Sequence, residues 1–161
     1  MKKIVLPLAV LAMLGLIGAA VALDCLRLAA DARGRAELAD EEMHKHELRL
    51  VTLLAGFEPL SPEVQATIAA YRQAENSAAR RGAYAQVVTS FRQTMSGKVD
   101  PTNSLDRKFM DDVVGAINRR EIAQKSYDDE EAAYQAFLSG RRGGVARKFS
   151  ARARLDWKAG D

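Results

Sequence analysis

The residues of this chain best suited to chemistry lie in one short stretch. His44 and His46, the only histidines, sit among Asp40, Glu41, Glu42 and Glu47. Glu41 and His44 have the Glu-x-x-His spacing by which helical bundles hold metal ions. Such a di-iron site needs a second pair and two more glutamates on facing helices. With no third histidine, that second pair cannot be built. His44 and His46 are two positions apart, so on a helix they point in different directions. A metal-binding or metal-dependent protein using Glu41, His44 and His46 is the alternative reading. A solvated polar face, with one histidine near the edge of a core, is the primary one, and no cofactor is expected.

Other chemistries find less support. A G-x-S-x-G nucleophile elbow is absent, and Cys25, the only cysteine, has no histidine near it in sequence. Asp24 before Cys25 departs from a lipoprotein signal, which calls for a small uncharged residue there. Asp111-Asp112 and Asp128-Asp129-Glu130-Glu131 offer carboxylates, but on a long helix these form its wet side. The glycines of Gly140-Arg141-Arg142-Gly143-Gly144 lack the strand, lysine and hydroxyl of a phosphate loop. No catalytic residue and no enzymatic activity are expected.

The strongest candidate contact surface is electrostatic. From residue 141 onward, Arg141, Arg142, Arg147, Lys148, Arg152, Arg154 and Lys158 face only Asp156 and Asp161, so this end carries about +5 of a net +3 chain. With Phe149 and Trp157 interleaved, it suits an anionic lipid surface or a protein partner; the alternative is a basic helix docked by its apolar side onto the bundle. Nucleic acid is not expected.

The elements that position these groups are helical. Val, Ile and Thr are sparse after Leu23, whereas Ala, Arg, Glu and Gln, all good helix formers, are plentiful. Residues 4–23 form an unbroken apolar run. As a helix it is ~30 Å long, the thickness of a bilayer's hydrocarbon core. A secretory signal would have a shorter apolar stretch of about 7–15 residues. An uncleaved anchor is therefore the reading, with Ala20-Val21-Ala22 as a passable cleavage site should the run be removed. Lys2 and Lys3 favour a cytoplasmic N-terminus, while Arg27, Arg33 and Arg35 beyond the run pull the opposite way. A short basic N-terminus ahead of a hydrophobic run usually stays inside, which puts the expected place of the remainder on the periplasmic or outer side of a bacterial inner (cytoplasmic) membrane. Gly15 with Ala19, and Gly18 with Ala22, have the spacing that lets two anchors pack, so a homo-oligomer is possible.

Beyond the run, Met43, His46 or Glu47, Leu50, Leu54 and Phe57 recur at helical spacing, with Gly34 as a weak point and Gly56 and Pro59 as the stop. Ser61-Pro62 is a helix start, and Val64, Ile68 and Tyr71 are its buried face. Asn76-Ser77 is a break or a bend. Tyr84, Val87, Val88, Phe91 and Met95 continue a stripe that Gly97 closes. The cluster Asp100 to Ser104 is a turn and cap. A long helix over residues 105–138 carries Phe109, Val113, Ala116, Ile117, Ala123, Tyr127, Tyr134 and Leu138. Residues 141–144 are expected as a flexible basic loop, and 145–157 as a short amphipathic helix with Val145, Phe149 and Trp157 on one side. The reading is all-α: a single transmembrane helix (1–23), an antiparallel three- to four-helix bundle (24–140), and a basic C-terminal segment (141–161).

The long helix also carries Asn118-Arg119, Ala123, Tyr127 and Tyr134 at a spacing that resembles the signature of the LemA family. That family likewise has an N-terminal membrane helix, an Ala-rich helical domain and a Gly-rich stretch leading to an aromatic, here Phe149. Departures are present. Asp128 and Gln135 replace the asparagines that follow the two tyrosines, Glu131 takes an apolar position, and Leu138-Ser139 replaces Phe-Pro. The chain resembles a divergent member. The resemblance implies a single-pass anchored helical bundle and supplies no catalytic residues.

Overall fold

The structure, a computed structural model, describes residues 2–57, 60–95 and 102–150. Five helices account for nearly all of them: α1 (Lys2–Ala55), α2 (Pro62–Arg72), α3 (Ser77–Met95), α4 (Ser104–Ser139) and α5 (Arg141–Phe149). No strand occurs among the described residues. The all-α bundle expected from composition is what the chain forms.

The starts of α2, α3 and α4 each have a local cause. Ser61 caps α2, its Oγ accepting from the Val64 N–H at 3.3 Å, with Pro62 at the first helical position. Asn76 does the same for α3, its Oδ1 accepting from the Ala79 N–H at 2.8 Å. The Asn76-Ser77 pair is thus a true break. Asn103 opens α4, accepting from the Leu105 N–H at 3.0 Å. Gly34 does not interrupt α1; an added side-chain carbon there would meet nothing within 4 Å. The expected stops at Pro59 and Gly97, the turn residues Asp100 and Pro101, and the Met95 side chain lie outside the described residues.

The chain forms two compact units. One comprises residues 39–127. Its core draws Leu50, Val51 and Leu54 from α1, Val64, Ile68 and Tyr71 from α2, Tyr84, Val87 and Phe91 from α3, and Val113, Ala116 and Ile117 from α4. Phe109 stacks on Phe57 at 4.1 Å between ring centres and meets Phe91 edge-on at 6.2 Å. Full burial of each such side chain is worth roughly 1.5–3 kcal/mol. Within this unit α4 runs antiparallel to α1, since Arg120 reaches Glu47 while Phe109 reaches Phe57.

The other unit comprises residues 1–38 and 128–161. Here α1 and α4 again run antiparallel: Arg35 pairs with Glu130, and Ala32 packs on Tyr134 and Leu138. Within this unit the buried positions among the described side chains of α1 are Ala22, Cys25, Ala29 and Ala32. They recur every three or four residues, and all are small, which lets the neighbouring backbone come close.

Residues 141–144 depart from expectation. They are the first turn of α5, not a loop. Gly140 alone breaks the chain between α4 and α5, in extended conformation (φ −76°, ψ 172°). Gly143 is then pressed onto the end of α4: a side-chain carbon there would lie 2.2 Å from the Phe137 carbonyl oxygen. Only glycine permits that approach, so Gly143, one of the glycines that argued for flexibility, serves packing. Within the described residues the helix ends at Phe149.

Candidate functional site

The residues singled out by sequence separate into three groups. The first is the histidine stretch. Glu41 is exposed. His46 turns its Nε2 to Glu42 at 3.4 Å, and His44 turns its Nδ1 to the Tyr71 hydroxyl at 3.0 Å. The fold does not bring Glu41, His44 and His46 together, and no metal-ligating cluster of three His, Cys, Asp or Glu occurs among the described residues.

What this stretch builds instead centres on Glu47. Its side chain is fully buried. Arg120 of α4 donates to Oε1 through Nη2 at 3.1 Å and Nε at 3.3 Å. On the other oxygen, Oε2, Tyr71 of α2 donates its hydroxyl at 3.4 Å and Arg80 of α3 brings its Nε to 3.6 Å. A phenol has one proton to give. Donated to Glu47, it leaves the Tyr71 oxygen to accept from His44, which places that imidazole's hydrogen on Nδ1. Arg80 also donates to Asp40 at 3.3 Å, and Arg81 donates to the second oxygen of Asp40 at 3.1 Å. Arg120 lies over the Tyr84 ring and Arg81 over the Tyr127 ring, each 4.9 Å from the centroid.

The electrostatics follow from this enclosure. Burial raises the Tyr71 hydroxyl well above its ordinary value, and the Glu47 charge adds to the effect. Burial likewise pushes Tyr84 up to about 12, with the guanidinium of Arg120 opposing. At the surface, Glu42 is held low and Lys45 high by the hydrogen bond between them. Glu47 is closed off from solvent with its oxygens taken. The cluster therefore ties α1, α2, α3 and α4 of this unit to one another at a single carboxylate.

Glu47 had a sequence signal: it falls on the apolar stripe with Met43, Leu50 and Leu54, where a charge must be paired if buried. Arg80 and Arg120 had none, being two among 24 basic residues.

The second group is the tyrosine signature on α4. Ala123 and Tyr134 are buried and Tyr127 is half-buried under Arg81, whereas Asn118 and Arg119 are exposed. The third is the basic end. Arg141, Arg142, Lys148 and Phe149 are exposed on α5, Phe149 to 65%, and Arg147 is partly buried. Arg152, Arg154 and Trp157 lie outside the described residues.

The apolar run completes the picture. Val10 to Ala55 of α1 contains a stretch long and apolar enough to cross a membrane. Along residues 10–21 every side chain is exposed, with Leu11, Met13, Leu14 and Leu16 each above 60%. Burial begins at Ala22, next to the last apolar residue of the run. Compared with known proteins, the chain matches no family profile, no curated protein and no solved structure.

Proposed function

We propose that this chain is a single-pass protein of the bacterial inner membrane whose helical domain acts without catalysis, as an interaction or scaffold module at the cell envelope. One observation carries the anchoring: a row of large aliphatic side chains on α1 has no protein against it, and packing begins only where that row ends. Water would not tolerate an apolar surface of that extent, whereas a bilayer would. The domain faces the periplasm or exterior, on the strength of Lys2 and Lys3 ahead of the span. It is a divergent LemA-type chain, on the strength of Asn118, Arg119, Ala123, Tyr127 and Tyr134.

The interaction role rests on surface, not on a reaction centre. The most buried ionic cluster is spent on tying helices together. Meanwhile α4 presents Val114 and Ile122, 49% and 72% exposed, on either side of the exposed Asn118. Cross-linking in intact cells, followed by capture of the full chain in mild detergent, tests this role. A specific co-purifying envelope protein that Ile122→Asp loses supports it, and a chain recovered alone refutes it. Protease added to intact spheroplasts tests the orientation: cleavage of the domain supports it, and full protection reverses it.

A further inference from the structure

The basic helix α5 is held at a defined depth. Its Ala146 packs into one buried cluster with Cys25 and Ala29 of α1. Cys25 lies two residues and Ala29 six residues beyond Leu23, the end of the apolar run. At ~1.5 Å per residue these are about 3 Å and 9 Å from the edge of the hydrocarbon. The headgroup layer on each side of a bilayer is itself about 5–8 Å thick. If residues 4–23 span the membrane, α5 therefore sits among the headgroups.

Its exposed face suits that layer. At ~100° per residue, the exposed Lys148, Arg141, Phe149 and Arg142 fall in that order within an arc of about 120°, with Val145 between them half-buried against the Cys25 and Ala29 cluster. Beyond Arg142 the helix turns to Ala146 and then Gly143, the two buried residues that seat it. Arg141, Arg142, Lys148 and Phe149 are all exposed. No acidic residue occurs between Glu131 and Asp156. The acids nearest in depth, Asp24 and Asp31, are exposed on α1 with Arg27 between them, and the face of α5 itself is uniformly positive.

From this geometry we infer that α5 is a binding face for anionic phospholipid headgroups: Arg141, Arg142 and Lys148 engage the phosphates, and Phe149 enters the boundary between headgroup and acyl chain. The inference rests on the anchored reading above and names the lipid partner of the anchored end. The basic residues then do not merely attract the chain to a membrane it already spans. They select anionic lipid around the anchor.

The test uses the full chain with Phe149→Trp and Trp157→Phe, so that one indole reports on α5. It is reconstituted into phosphatidylcholine vesicles with and without phosphatidylglycerol. Flotation reads the anchor; indole emission and its quenching by acyl-brominated lipid read α5. The expected result is flotation with both lipids, and a blue-shifted, quenched indole when phosphatidylglycerol is present. A cation near an anionic surface contributes roughly fivefold. Adding Arg141→Gln, Arg142→Gln and Lys148→Gln should therefore lower the ratio of engaged to free α5 on the order of a hundredfold. High salt should do the same to the chain that keeps these cations. A chain that floats while its indole stays in water, or is quenched equally in both lipids, overturns the headgroup site and leaves the anchor standing. A chain that does not float removes both.

Discussion

Glu47 and Arg120 lie 73 residues apart in sequence, yet two guanidinium nitrogens of Arg120 sit 3.1 and 3.3 Å from one Glu47 oxygen. The Glu47 side chain is fully buried and only 14% of the Arg120 side chain is exposed. Burying such a pair is expensive, and breaking it is worse, since the surviving charge keeps its desolvation penalty without a partner.

Glu47→Gln should therefore destabilise the domain by about 3–5 kcal/mol, because Arg80 and Arg120 lose their shared counter-charge. Chemical unfolding of the full chain in mild detergent, followed by circular dichroism, checks this. A change below about 1 kcal/mol, the range of a surface ion pair, would show that the cluster contributes little.

How far the sequence could have led here depends on the kind of contact. Local signals were readable: Ser61-Pro62 and the period of Val64, Ile68 and Tyr71 defined α2, and the apolar run of residues 4–23 stood out by length alone. Contacts across the fold were not. The position of Glu47 on an apolar stripe announced that it needed a partner, but nothing in sequence distinguishes Arg80 and Arg120 from exposed arginines. Gly143 and Gly144 read as a loop because glycine is a poor helix former. The close approach of α5 to Phe137, which makes glycine necessary in a helix, is a tertiary fact.

Those two glycines should respond oppositely to alanine. Gly143→Ala drives a methyl into the Phe137 carbonyl and the Leu138 backbone, so α5 must lift away. Cys25, 2% exposed and packed against Ala146, should then become reactive to a water-soluble maleimide. Gly144→Ala meets nothing within 4 Å and should leave Cys25 protected, with a gain of about 0.4–1 kcal/mol from the unfolded chain's lost freedom. Equal labelling in the two variants would contradict the packing of α5.

The helix caps give a smaller, additive effect. Ser61→Ala and Asn76→Ala each remove an acceptor for an N–H at a helix start. Each should lower stability by about 1 kcal/mol. The residues bond to separate helices and share no partner, so the double variant should show roughly the sum.

Alkaline pH should unfold the domain through its tyrosines. Tyr84 ionises at about 12 when folded, against 10.0 unperturbed, and Tyr71 is raised as well. Above pH 10 the unfolded chain gives up these protons while the folded chain keeps them. Stability from these groups is thus complete below about 10 and drains as pH rises toward the folded values. Phenolate absorbance should show Tyr71 and Tyr84 titrating late and together with loss of helix. Tyr84→Phe should flatten part of the dependence. All four tyrosines titrating normally in a folded chain would contradict their enclosure.

If residues 4–23 span a bilayer as proposed, lipid covers the exposed aliphatic row of α1. Alkaline carbonate extraction of membranes from gently lysed cells, with the N-terminal residue of the recovered chain determined, tests it most directly. The chain should remain in the pellet with residues 4–23 intact and enter solution only with detergent. Recovery of the intact, unprocessed chain in the aqueous fraction would contradict it.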